Sequence, residues 1–241
     1  MKNGLKKYFV IILLVFLFLS QKHFAQSDIV KGSFFYPVVM EQNEFKHEFS
    51  FLLAKLPEDA IEEASAWIYA PLFTYSVKYG LPQGFSLNGY ASTNIITFQF
   101  RGGPQWGYSF NKVTAAIGFD VAYYYGQLNA FGFNSKVHGW QSYPHLDLGI
   151  EFKNFTLTFR GELYYILSMT QKADDLETGV TTTAVAASSF AILIEQPLWK
   201  NNFLTIGVNF HFTKAYWPAW AVFPSWERYF FIPEVIIGFV L

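Results

Sequence analysis

Alternation with a period of two recurs along most of this chain. In Val113–Tyr125 the odd positions are apolar or aromatic, and the even positions are small or polar up to Tyr124. In Phe155–Leu163 the even positions include Thr156, Thr158, Arg160 and Glu162. A period of two sends successive side chains to opposite faces of a sheet. Ten such segments are predicted: 45–56, 67–79, 84–92, 95–110, 112–125, 140–152, 155–168, 186–198, 203–214 and 229–241. Their ends are set to within about two to four residues.

The two faces differ in charge. The rows Phe45/Phe49/Phe51/Leu53, Trp67/Tyr69/Phe73/Tyr75/Val77 and Ile96/Phe98/Phe100 contain no ionisable acid or base. The same holds for Leu146/Leu148/Ile150/Phe152, Leu204/Ile206/Val208/Phe210 and Val235/Ile237/Phe239/Leu241. The opposite rows carry Lys46, Glu48, Lys78, Arg101, Asp120, Asp147, Glu151, Arg160, Glu162, Glu195 and Glu234. A soluble sandwich would turn its polar rows to water and bury the apolar ones. The apolar rows here are too bulky and aromatic for that packing. Aromatics make up 21% of the chain, and only 15% of residues are charged. Lipid is therefore the expected solvent of the apolar face, where a basic residue at mid-depth costs about 2–4 kcal/mol.

Beyond the N-terminus no run of 18 apolar residues occurs, so helices do not span the membrane. The links alternate in length. Short turns fall at 80–83, 111, 153–154 and 200–202, and longer links at 57–66, 126–139, 169–185 and 215–228. The link near Thr93-Asn94 is short where a long one is expected. The predicted fold is all-β: a transmembrane antiparallel up-and-down β-barrel of about ten strands, eight and twelve remaining open. Both termini then lie on the short-turn, periplasmic side. Trp67, Trp140, Trp217, Trp220 and Trp226 fall near long-loop ends, and Trp106 and Trp199 near short turns, as interfacial girdles do.

Lys2, Lys6 and Lys7 precede an apolar run from Tyr8 to Leu19. That run is short for a spanning helix and suits a secretory signal peptide. Residues 1–25 are read as the signal, with cleavage after Ala25, residues 26–43 as a periplasmic segment that caps the mouth or forms a tail, and residues 44–241 as the barrel. Cleavage removes four lysines and no acid, which leaves 13 basic and 18 acidic residues, a formal −5. With no basic block, nucleic acid is excluded as a partner. There is no cysteine, so disulfides, thiol nucleophiles and a lipoprotein anchor are excluded.

The terminal strand Glu234–Leu241, EVIIGFVL, alternates apolar residues to the last position. With the signal and the even strand count, it makes residues 44–241 resemble a small bacterial outer-membrane β-barrel protein. That family usually ends in Phe or Trp; here Leu241 is last and Phe239 stands two before it. The resemblance implies residence in the outer membrane, contact with its lipid and insertion by the barrel assembly machinery. It implies no particular activity.

Within the lumen, Arg101, Asp120, Asp147, Glu151, Arg160, Glu162, Glu195 and Glu234 are expected to form an ion network. The same charges could instead form a constriction that selects solutes. No catalytic site is assigned. The acid–base candidates are His145 and Asp147, which share a face, and His211, with both histidines placed in the outer half; a hydrolase built on them would act as a protease or on lipid A. No GxSxG or HExxH motif accompanies them, and Ser168 and Ser188 are unmarked hydroxyls. No metal or cofactor is assigned, since His145 and His211 lack a third ligand. The acidic segments 57–64 and 174–177 read as solvated faces. The link 213–228 carries Tyr216, Trp217, Trp220, Phe223 and Trp226. It reads either as an exposed contact surface for an envelope partner or as part of the outer girdle. The functional expectation is a non-enzymatic integral barrel, structural or an accessory subunit of an envelope complex. The alternatives are a narrow pore or small-ligand conduit, and an outer-membrane hydrolase.

Overall fold

A computed structural model describes residues 28–57, 68–130, 133–174, 176–181, 184–199, 202–221 and 228–241. The expected signal peptide and most of the acidic segment 57–64 lie outside these residues. A one-turn helix, α1 (Asp28–Gly32), precedes eleven strands. These are β1 (Phe45–Lys55), β2 (Tyr69–Gly80), β3 (Phe85–Thr93), β4 (Thr97–Phe110), β5 (Val113–Ala130) and β6 (Phe133–Glu151). Then follow β7 (Thr156–Ala173), β8 (Leu176–Thr181), β9 (Ala184–Trp199), β10 (Asn202–Thr213) and β11 (Phe230–Val240).

Neighbours in the chain are neighbours in the sheet, and every pair is antiparallel. The exception is β8, which pairs with the far end of β7 at Met169–Ala173, while β9 pairs with the rest of β7 from Thr156 to Ile166. Strand β11 returns to β1 in a register running from Glu48↔Val240 to Ala54↔Glu234. That last pairing closes a ring of ten strands, in which no strand is an edge strand, the condition for a sheet in hydrocarbon.

The distribution of side chains identifies the solvent. Phe100, Ile117 and Leu146 are 63%, 60% and 62% exposed, whereas Glu48, Asp120 and Glu195 are 0% exposed. A soluble protein shows the reverse, and rarely exposes apolar patches beyond a few hundred Å². The barrel presents its apolar rows outward as a transmembrane belt and encloses its charged rows.

The ten expected segments coincide with the ten ring strands, but the upper links differ. Strands β5 and β6 stay paired up to Ala130↔Phe133, and β8 occupies part of the link expected at 169–185. In these extensions Gln127, Asn129, Asn134, Lys136 and His138 replace the apolar row. Backbone pairing continues there with no lipid-facing stripe to announce it. Among the tight turns, the β4–β5 connection places Asn111 at φ 56°, a left-handed geometry Asn tolerates. At the β3–β4 turn Ile95 has φ 80°, unusual for a β-branched residue. Side chains hold this turn: Asn94 Oδ1 accepts from Thr97 N at 2.9 Å, and Thr93 Oγ1 from Ile95 N at 3.0 Å.

Candidate functional site in the lumen

The lumen is filled in three layers. The lowest, at the short-turn end, is made by the chain that precedes β1. Residues Ser33–Met40 enter the barrel, and Phe34 and Tyr36 are fully buried. Their backbone is bound by one carboxylate: Glu195 on β9 accepts from Phe34 N at 2.6 Å, Phe35 N at 3.0 Å and Tyr36 N at 2.8 Å. Two lysines hold the carbonyls. Lys46 Nζ donates to Ser33 O at 3.0 Å, and Lys78 Nζ to Phe34 O at 2.7 Å. Phe34 packs on Phe203 and Val240. Gly149 on β6 makes room for the ring of Tyr36, since a Cβ there would lie 2.5 Å from Tyr36 Cε2. Residues 33–40 of the segment expected to cap the mouth or to form a tail thus lie against the inner wall.

The middle layer is an ion cluster spanning β4 to β7. Arg101 donates through Nε to Asp120 Oδ2 at 2.8 Å and through Nη1 to Glu162 Oε1 at 3.0 Å, and its Nη2 completes a fork on Glu162. The guanidinium lies 4.2 Å from the Tyr143 ring centroid and 5.1 Å from that of Tyr90. This is the planar, bidentate and stacking geometry that arginine offers and lysine does not. Arg160 Nε stands 3.3 Å from Asp147 Oδ1 and 3.7 Å from Glu162 Oε2. His145 lies between two acids, with Nδ1 3.2 Å from Asp147 Oδ2 and Nε2 3.7 Å from Asp120 Oδ2. Gly118 creates its space, because a Cβ there would meet His145 Nε2 at 2.3 Å.

The upper layer joins β7, β10 and β11 to the β10–β11 link. His211 Nδ1 is 3.1 Å from the Tyr164 hydroxyl, and its Nε2 is 3.2 Å from Glu234 Oε2. Tyr216 donates to Glu234 Oε1 at 2.9 Å. Burial raises the Tyr216 phenol well above its ordinary value, so it remains a donor at physiological pH. Above it a short 3-10 turn, Trp217–Ala219, lies across the mouth. Trp220 Nε1 donates to Thr97 Oγ1 at 3.0 Å, and Asn94 Nδ2 donates to Pro218 O.

Several expectations need correction. The predicted network is split into separate groups. Arg101, Asp120, Asp147, Arg160 and Glu162 come together, while Glu195 binds backbone amides and Glu234 binds His211 and Tyr216. Glu151 sits at the rim and forms no ion pair among the described residues. The reason is local supply: the inward row of β9 meets the buried backbone of residues 34–36 before it meets a cation. Tyr216 and Trp220 are buried rather than presented as an outer contact surface, because closing the mouth removes their apolar area from water. Trp217 is half-buried; Phe223 and Trp226 lie outside the described residues. His145 is in the lower half of β6 rather than the outer half, six residues from the strand's end at Glu151.

Of the acid–base candidates, His145 and Asp147 adjoin each other, while His211 belongs to a different layer beside Tyr164 and Glu234. Among the described residues no hydroxyl is hydrogen-bonded to His145, and the Tyr164 hydroxyl stands between Ser189 and His211. A general base must reach the proton it removes, directly or through one water. Among the described residues no three His, Asp or Glu side chains are arranged to hold a metal. Between floor and lid remains a cavity of about 150 Å³, bordered by Phe35 below, Trp217 and Pro218 above, and Arg101, Arg160 and His211 at the sides.

No protein-family model matches the sequence, and no curated protein matches it. Among solved structures, it is similar to Neisserial surface protein A at 10% identity, covering 82% of this chain and 96% of that one with a TM-score of 0.41. At 10% identity it is also similar to the KdgM porin solved with disordered oligogalacturonate, with 82% and 98% covered and a TM-score of 0.39. The translocator domain of the autotransporter NalP from Neisseria meningitidis gives 10% identity, 81% and 87% coverage and a TM-score of 0.39. These are likenesses of barrel shape, and no cargo or activity passes from them to this chain.

Proposed function

We propose that this protein is an integral outer-membrane barrel with no catalytic role and no open axial channel, acting as a structural or accessory subunit of an envelope complex. The observation that carries this reading is that the chain fills its own lumen. Residues 33–40 close one end, the 216–220 segment closes the other, and the charges between them are largely paired with one another. A conduit of this width would need its charged lining free for water and solute. In the same reading the chain is exported through a signal peptide cleaved after Ala25 and is inserted by the barrel assembly machinery. The purified protein, reconstituted in a planar bilayer, is expected to show no conductance steps at either polarity. Reproducible steps from the intact chain would overturn the closed reading and favour the narrow pore.

A second reading, a holder of one small polar ligand, is favoured by one feature of the cavity. Arg160 Nη2 and Asn209 Oδ1 are buried and have no hydrogen-bond partner among the described residues. Buried polar atoms are normally satisfied by protein or by ordered water. Water meets that need as well as a ligand does, so the closed accessory barrel is the conclusion retained.

A further inference from the structure

Two prolines stand in the barrel wall on either side of Phe119. Pro104 in β4 and Pro144 in β6 both belong to outward-facing rows, and Phe119 pairs directly with Pro144. Each marks a break in a ladder. Between β4 and β5 the pairing passes from Gly102↔Val121 to Gln105↔Gly118 without the two pairs between. Between β6 and β7 it passes from Ser142↔Tyr165 to His145↔Glu162, again missing two. The outer surface over these breaks is concave. It forms an open groove of about 770 Å³ walled by Trp106, Ile117, Phe119, Leu146 and Leu163. Gly161 lines its base, and a Cβ added there would find nothing within 4 Å.

The prolines show what the groove is built to meet. Where bulky side chains do not cover the wall, unpaired backbone N–H groups would face the membrane interior, where no water satisfies them. Proline has no N–H, so a break made at proline exposes no proline donor. A groove meant for water or a polar headgroup gains nothing from that device, whereas one meant for hydrocarbon does. We propose that this groove holds one acyl chain of a membrane phospholipid, seated on Gly161, more persistently than the lipids around the rest of the belt. The site rests on the transmembrane reading of the apolar face.

The test uses the full chain folded in detergent and supplied with palmitoyl-oleoyl phosphatidylethanolamine, followed by native mass spectrometry after detergent stripping. Wild type is expected to retain one lipid. Gly161→Trp fills open space and is expected to reduce retention at least tenfold. Val235→Trp, on the opposite wall and also in the belt, is expected to retain lipid as wild type does. Equal retention by wild type and Gly161→Trp would overturn the site. So would equal loss in both variants, no retained lipid in wild type, or a protein in place of the lipid. Migration of unheated samples separates the premises: if wild type runs identically boiled and unboiled, the closed-barrel reading fails before the groove is in question. Should Gly161→Trp alone lose the fast-migrating folded form, Ser188→Phe at the groove's edge is expected to show the same tenfold reduction, and undiminished retention by it would overturn the site.

Discussion

Arg101→Ala is expected to destabilise the barrel by about 3–5 kcal/mol, the usual consequence of removing one partner from a buried ion group. The guanidinium is the shared donor of Asp120 and Glu162, and the Asp120 side chain is 0% exposed. Without Arg101, two buried carboxylates keep Arg160 as their cationic neighbour, with the His145 ring beside Asp120. The measurement is the urea midpoint in detergent, followed by loss of the fast-migrating form on unheated gels. Arg101→Lys is expected to recover only part of the loss, because an ammonium cannot span both acids in a fork and loses the stacking on Tyr143. Arg101→Met combined with Asp120→Asn and Glu162→Gln is expected to be more stable than Arg101→Ala, since it removes the stranded charges along with the arginine. An Arg101→Ala midpoint equal to wild type would mean that the cluster is hydrated and contributes nothing.

Glu195→Ala is expected to release the floor. Three backbone donors, Phe34, Phe35 and Tyr36, converge on this one carboxylate. Hydrogen bonds to a charged group contribute about 1.5–3 kcal/mol each. Even with strong non-additivity, losing the set should cost about 4 kcal/mol, roughly a thousandfold in an opening equilibrium at about 1.4 kcal/mol per decade. Hydrogen exchange at the amides of residues 34–36 is the direct readout, with the β5 amides as an internal reference. Glu195→Gln keeps an acceptor oxygen and is expected to fall between the two. Unchanged protection in Glu195→Ala would show that Phe34 packing and the two lysines hold the segment by themselves. Because the Arg101–Glu162 layer lies above the floor, release of the segment is not expected to produce conductance.

How far the sequence could be read depends on which solvent each residue meets. The belt was legible because hydrocarbon forbids charge on one face and leaves the other free, so Val113–Tyr125 announces both its strand and its orientation. The upper parts of β5 and β6 were not legible, since their outward row turns polar at Gln127, Asn129, Lys136 and His138 and the alternation fades after Tyr125. The floor was hidden for a different reason. Phe34-Phe35-Tyr36-Pro37-Val38-Val39-Met40 is a dense apolar run, but nothing local says that it turns into a barrel rather than along one. Its one remote signal was Glu195, an inward carboxylate with no cation close to it on the same face of β9. Tyr216 and Trp220 were misplaced because an aromatic at a membrane boundary and one folded into a barrel mouth have the same composition. Pro104 and Pro144 lie inside strands, where proline is unusual, but only the strand register shows that they flank one groove.

Because the chain has no native cysteine, a single-cysteine scan from Val113 to Tyr125 needs no background removal. Each variant would carry a nitroxide and be reconstituted in phospholipid bilayers, with its collision rates to molecular oxygen and to a water-soluble nickel chelate compared. High oxygen and low nickel accessibility is expected at the odd positions, including Ile117, Phe119 and Val121, with both quenchers shielded from even positions such as Asp120. Nickel accessibility at the odd positions, or no period of two in either quencher, would contradict an apolar face turned to lipid around a filled, charged interior.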